Sequence, residues 1–261
     1  MVRRVVSSAF DAYGALFPVL IGVTAAIVVP YEAVLLALQL GAPDTDDART
    51  GLLVVDGVAS FLLVLPLVTV VAMRAGQARE RGEAPQPWRA LAEGLELLAV
   101  IAGTQLLVVL AIAFLPGLVM LAGLALGLPG LVLAGALALL ASAIINGVRL
   151  ALAVPVVLLE SGPRFGAALR RSTELVRGAW RNTLLTLLAL GAIALLIQLV
   201  ASVAVSAAVL AVAGEDGRTD DVAARLSAAL SGVLTMPFVA LGSLALYRER
   251  AAAAATGVRA P

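Results

Sequence analysis

Apolar residues run in long blocks along this chain, separated by short polar stretches where charge gathers. The blocks at about 15–40, 51–73, 95–116, 130–158, 183–212 and 226–247 each predict a helix. Each approaches or exceeds the roughly 20 residues that cross a bilayer, and a helix satisfies its own backbone there. No residue from Leu97 to Val148 is charged, a run of 52 that predicts two spans and their connection. Its middle, 114–132, is punctuated by Pro116-Gly117 and Pro129-Gly130. That region reads either as a loop dipping into the outer interface or as helix three continuing past a kink at Pro116. The first block, Leu16 to Leu40, is longer than the 7–15-residue core of a signal peptide, so a retained span is expected. The fold class is therefore all-α, a polytopic membrane protein with six transmembrane helices in three hairpins. A single domain is expected over 1–250, with 251–261 a disordered cytoplasmic tail.

The polar stretches have a pattern of their own. At 100° per residue, Phe165, Ala168, Leu169, Leu175, Val176, Ala179 and Trp180 fall within one arc. Arg164, Arg170, Arg171, Arg177 and Arg181 occupy the opposite arc. This predicts an interfacial amphipathic helix with its apolar face in the acyl boundary and its arginines on anionic headgroups. Pro163 suits its first turn, Ser161 its cap, and Trp180 the membrane interface. Weaker versions precede the first span (Val6, Phe10, Tyr13, Phe17, behind Arg3 and Arg4) and the third (Trp88, Leu91, Leu95, near Arg89). Each hairpin is thus expected to follow a cytoplasmic amphipathic helix. The threefold pattern fits internal repetition, and it equally fits the common appearance of helix pairs entered from basic loops.

Composition narrows the chemistry. The chain is 62% hydrophobic and 13% charged, against nearer half and a quarter in soluble domains. A net charge of +1 conceals a strong sorting of charge. Fourteen arginines (3, 4, 74, 79, 81, 89, 164, 170, 171, 177, 181, 248, 250 and 259) fall on one side of the predicted spans. Only Arg49, Arg218 and Arg225 fall on the other, among Asp44, Asp46, Asp47, Glu215, Asp216, Asp220 and Asp221. The positive-inside rule then places both termini in the cytoplasm, and the bacterial cytoplasmic membrane is the expected location. Having no cysteine and no histidine removes thiolate chemistry and the commonest general base and transition-metal ligand. No zincin, serine-hydrolase, phosphate-loop or membrane aspartyl-protease motif occurs. Catalytic residues, cofactors and metal are therefore all expected to be absent. The partners expected are anionic membrane lipids, a second copy of the chain or another membrane protein, and not nucleic acid.

Charges inside spans are costly and mark candidate sites. Three stand out, Glu32 and Asp56 in the first two helices and Arg149 in the fourth, with Asn146 one turn from Arg149. Measured from the outer ends of their helices, Glu32 and Asp56 lie at about 9–12 Å depth. The functional reading is a polar site for a proton, an anion or a lipid headgroup, with Arg149 at its base. The structural reading is a salt bridge from Arg149 to one carboxylate, or a snorkelling Arg149 partnered by Asn146. Pro30, Pro66, Pro155 and Pro237 lie within spans and read as packing kinks, with hinges as the alternative.

Residues 153–180 carry Pro155, Glu160, then Ala168-Leu169-Arg170-Arg171-Ser172, Leu175, Gly178 and Trp180. This segment resembles the membrane domain of glycerophosphoryl diester phosphodiesterases and its stand-alone bacterial relatives. The resemblance is specific over about 30 residues and architectural elsewhere, where the six-helix plan agrees. It implies the membrane half of that family alone. The hydrolytic domain of fused members uses histidine and acidic metal ligands, which this chain lacks. The expected function is a non-enzymatic membrane protein that organises or assists at the inner leaflet by binding anionic lipid or a partner protein. The alternative is a transporter or lipid-handling protein with a polar cavity around Glu32, Asp56 and Arg149.

Overall fold

The computed structural model describes residues 1–43, 45–160, 165–213 and 217–256, which are helical throughout apart from short connections. The elements are α1 (Val2–Gly41), α2 (Asp46–Ala59), a π-helical turn (Ser60–Val64), α3 (Leu65–Glu80), α4 (Pro87–Ala125), α5 (Pro129–Leu150), α6 (Ala153–Leu159), α7 (Gly166–Val176), α8 (Trp180–Ala213) and α9 (Gly217–Ala255). Among the described residues, six stretches are long and apolar enough to cross a membrane: Val2–Gly41, Asp46–Glu80, Pro87–Ala125, Pro129–Leu159, Trp180–Val209 and Asp221–Ala255. Contacts gather the chain into two compact units. The first comprises Met1–Val5, Ala99–Leu187 and Ser243–Pro261, and the second Val6–Leu98 and Leu188–Gly242.

The helices overrun the predicted blocks because no breaker separates apolar from polar residues. α1 is a single helix of 40 residues, about 60 Å long and twice the hydrocarbon thickness. The Val6–Phe17 stretch is thus the start of α1 and not a separate interfacial helix. Trp88–Leu95 likewise belongs to α4, whose first residue is Pro87. Of the three expected amphipathic helices only α7 is a separate element, because Gly178, at φ 81°, breaks the chain before α8. Trp180 is the first residue of α8 and no part of α7. α9 starts at Gly217 and runs to Ala255. Its alanine-rich end, over 251–255, is helical where a disordered tail was expected, as the leading helix former should be. Residues 257–261 of that tail lie outside the described residues, as do Ser161, Pro163 and Arg164.

α4 continues through Pro116 to Ala125, which resolves 114–132 into helix, turn and helix. Pro116 has no N–H to offer the Ile112 carbonyl one turn back. Ser142 of α5 donates to that carbonyl at 2.7 Å, and Asn146 Nδ2 lies 3.0 Å from Ser142 Oγ and 3.4 Å from the Ala111 carbonyl. The neighbouring helix thus restores the bond that proline removes. Two glycines allow the approach. A Cβ on Gly123 would lie 2.7 Å from the Val132 nitrogen, and one on Gly135 would lie 2.8 Å from the Met120 nitrogen.

The fourth predicted span is broken. α5 ends at Leu150 and α6 begins at Ala153. Pro155 accounts for the break, since it cannot serve the Ala151 carbonyl four residues back. Ser172 of α7 bridges the gap: its Oγ donates to the Arg149 carbonyl at 2.7 Å and accepts from Leu152 N–H at 3.1 Å. Around this staple Val148, Leu152, Val156, Ala168, Leu175, Val176 and Leu246 form a buried core. The apolar face of α7 is therefore packed into protein, where an acyl boundary was expected, because the break opens a site that α7 fills. Replacing Ser172 by Ala should leave the buried Leu152 N–H and the part-buried Arg149 carbonyl without this partner and cost about 1–3 kcal/mol. Thermal unfolding in detergent, followed by far-ultraviolet circular dichroism, measures this, and an unchanged midpoint would refute the staple.

Candidate functional site

In the first unit, α7 presents two unlike faces. Ala168, Ser172, Leu175 and Val176 are buried, while Arg170 and Arg177 are exposed, as is Arg181 one residue into α8. Arg171 is tied down. Its Nε lies 3.1 Å from both carboxylate oxygens of Glu160, and its Nη1 lies 3.5 Å from Glu174. The hydrogen bond to Glu160 pushes the Arg171 guanidinium further up from its ordinary value, so it stays charged at any working pH. Tyr247 of α9 donates to the same Glu160 at 3.0 Å. Glu160 thus fastens α7 and α9 to the end of α6. Of the expected headgroup residues, Arg170, Arg177 and Arg181 stand free of this clasp, Arg171 belongs to it, and Trp180 packs at the edge of the buried core.

In the second unit, Glu32 and Asp56 do come together, on Arg225. Arg225 Nη1 lies 2.6 Å from Asp56 Oδ2 and 3.3 Å from Glu32 Oε2. The side chains of Arg225 and Glu32 are only 12% and 13% exposed. Arg225 Nε also donates to Gln39 at 3.0 Å, and Gln39 Nε2 donates to Asp221 at 2.6 Å. Tyr31 completes the network, its hydroxyl 2.7 Å from Asp56 Oδ1 and 2.8 Å from the Asp56 carbonyl. A cavity of about 190 Å³ opens beside it, lined by Gln39, Asp221 and Arg225 with Arg49, Leu52 and Leu53.

Helical register brings these residues to one level. Glu32 is nine residues from the end of α1, Asp56 ten from the start of α2 and Arg225 eight from the start of α9. At 1.5 Å per residue these positions lie about 12–15 Å in from the helix ends. The π turn at Ser60–Val64 also contributes. A wider turn sets the helix back by about one residue, ~100°, which brings Asp56 towards the face of buried Val64 and Val68. A strict 3.6-residue count misses this.

Arg149 and Asn146 belong to the first unit, and the Glu32–Asp56–Arg225 network is built within the second. Arg149 is exposed in the last turn of α5, where a cation suits the helix dipole, and has no ion-pair partner among the described residues. The cation that the carboxylates use is Arg225, which sequence reasoning had assigned to an outer loop because the apolar block begins only at Leu226. One signal was available: Asp221 and Arg225 are four residues apart around Val222-Ala223-Ala224, a spacing that puts them on one helical face.

No protein-family model, curated protein or solved structure matches the chain. Function is therefore read from geometry. Removing Arg225 alone leaves two enclosed carboxylates without their cation. Arg225→Gln should cost about 3 kcal/mol or more, because a charge stripped of its partner is expensive. Adding Glu32→Gln and Asp56→Asn should recover most of the loss, while Arg149→Gln should cost under about 0.5 kcal/mol. Melting curves of the four proteins in one detergent decide it: an unshifted Arg225→Gln midpoint excludes the network as a structural tie.

Proposed function

We propose that this chain is a non-enzymatic integral membrane protein that works at the inner leaflet, holding anionic lipids or a membrane partner on a fixed basic face. In this reading the six helices form three hairpins in the bacterial cytoplasmic membrane. Both termini and the arginine-rich ends face the cytoplasm, in accord with the sorting of arginines. One observation carries the proposal. Arg170, Arg177 and Arg181 are exposed on and just beyond α7, whose opposite face buries Ala168, Ser172, Leu175 and Val176 and which is clasped by Glu160. Charges held in place by packing meet a headgroup with little loss of conformational freedom, which separates them from arginines on a loose loop. The likeness of 153–180 to the phosphodiesterase membrane domain enters the proposal as architecture, with no hydrolysis attached.

The second reading is a transporter or lipid-handling protein, and the second unit supplies its motive. Two carboxylates share one guanidinium beside a cavity of about 190 Å³. Such an arrangement accommodates an added proton or cation without a new ligand set.

Neutralising Arg170, Arg177 and Arg181 together with glutamine tests the first reading. Native mass spectrometry from phosphatidylglycerol-containing membranes should show fewer retained anionic lipids, by at least one per chain, at an unchanged melting midpoint. Equal lipid retention would remove α7 as a lipid-binding face. In liposomes, Asp56→Asn should leave that retention unaltered, and a solute or proton flux abolished by Asp56→Asn would favour the second reading.

A further inference from the structure

We infer that Glu32 binds one exchangeable proton, beside an ionised Asp56 and Arg225, within the second unit. Charge balance calls for it. Arg225 brings one positive charge to two carboxylates, so the fully ionised triad carries one negative charge in excess. The adjoining cavity does not supply the missing cation, because its own charged residues besides Arg225 are Asp221 and Arg49, one of each sign. Asp221 is held by Gln39 Nε2 at 2.6 Å. From the π turn and α3 the neighbours are Val64 and Val68, which do not titrate. An enclosed charge that lacks its own counter-ion takes a proton in preference to staying ionised.

Geometry selects the carboxylate that takes it. Asp56 receives a donor on each oxygen, the Tyr31 hydroxyl on Oδ1 at 2.7 Å and Arg225 Nη1 on Oδ2 at 2.6 Å. Hydrogen bonds of this kind favour the ionised form. Glu32 receives a single donor, Arg225 Nη1 on Oε2, at 3.3 Å. Its Oε1 meets no donor among the described residues. A proton from solvent forms its O–H bond at Oε1 and leaves Oε2 to accept from Arg225. The network therefore needs no new partner when the proton arrives or departs. Carboxylates whose surroundings differ in this way divide into one acid and one anion. With Glu32 neutral, Arg225 and Asp56 remain as a balanced pair between α9 and α2.

Arg225 is common to the cavity of about 190 Å³ and to the triad, which puts Glu32 one side chain away from that opening. Proton binding uses the residues of the transporter reading but requires no transport. Absence of flux in liposomes would remove that reading and leave the proton in place. Neither result bears on the α7 face.

Infrared spectroscopy reads the proton directly, because a protonated carboxyl has a C=O stretch that a carboxylate lacks. Spectra of the full chain in detergent are recorded from about pH 5 to about pH 9, where exposed carboxylates are largely ionised. The expected result is an acid band that shifts in heavy water, fades as the pH rises and is missing in Glu32→Gln. Asp56→Asn leaves Glu32 and Arg225 balanced, so Glu32 should then hold its proton on the order of tenfold or more weakly. A Glu32 that served only as a structural partner of Arg225 would show neither effect. The wild-type titration and Asp56→Asn give the same reading if Glu32→Gln does not fold. No acid band in the wild-type chain, a band that survives Glu32→Gln, or one that Asp56→Asn leaves unaltered overturns the assignment. A spectrum without the band that sodium alters at fixed pH would put an alkali cation in its place, and overturns it equally.

Discussion

A polar group inside an apolar helix assembly cannot turn to water, so something in the neighbouring structure must answer it. This constraint explains where the helices of this protein touch. Pro116 strips the Ile112 carbonyl of its partner, and Ser142 arrives from α5 to replace it. Pro155 breaks the span between α5 and α6, and Ser172 crosses from α7 to hold both sides of the gap. Pro237 disturbs α9, and the Tyr13 hydroxyl takes the adjacent Leu234 carbonyl at 2.9 Å. At Pro116 the side chain meets the very carbonyl that loses its donor, and at Pro155 and Pro237 it takes a carbonyl within two residues of that one. Apolar packing alone would leave register free to slide, because leucine against leucine resembles leucine against lipid. A directional bond removes that freedom.

Charge follows the same logic at higher stakes. Glu32 and Asp56 are tolerable in apolar helices because Arg225 reaches both, while Gln39 bonds Arg225 and Tyr31 bonds Asp56. The π turn before Pro66 assists, since it turns Asp56 towards its partners. Glu160 has the corresponding role at the other polar junction, where it receives Arg171 and Tyr247. The two networks differ in openness. Arg225 is nearly enclosed, whereas the clasp at Glu160 lies beside arginines that remain exposed. A closed network fixes helices; an open one leaves charge available for something outside the chain.

Much of this was legible in the sequence, and the limits are physical. The six apolar blocks and their helical character come from hydropathy, because length and absence of charge are local properties. The ends of the helices do not, because an alanine-rich or paired polar stretch continues a helix as readily as an apolar one. This is why Arg225 and Asp221 read as loop. Glu32 and Asp56 were visible as isolated charges, yet Arg225, the cation that bonds both, was not among the residues the apolar blocks contained. Pairing between distant segments depends on tertiary register, and here also on a π turn that no periodicity shows. The amphipathic period is legible over Ala168–Val176, but Phe165 is exposed, Trp180 starts α8, and the buried face meets a broken helix that only Pro155 hinted at.

The arginines then divide by what holds them. Arg225, Arg171 and Arg74 each meet a carboxylate across an interhelical junction and act as structure. Arg170, Arg177 and Arg181, and at the other unit Arg89, have no carboxylate among the described residues and face outward. The positive-inside rule counts all of them alike. Geometry separates them, and the separation matters energetically. A guanidinium already bonded to carboxylate gains little from a phosphate, whereas a free one exchanges only water for a charge-assisted bond. In the proposed reading, what matters for an anion is which arginines the helices leave unpaired, and not how many lie at that end of the chain.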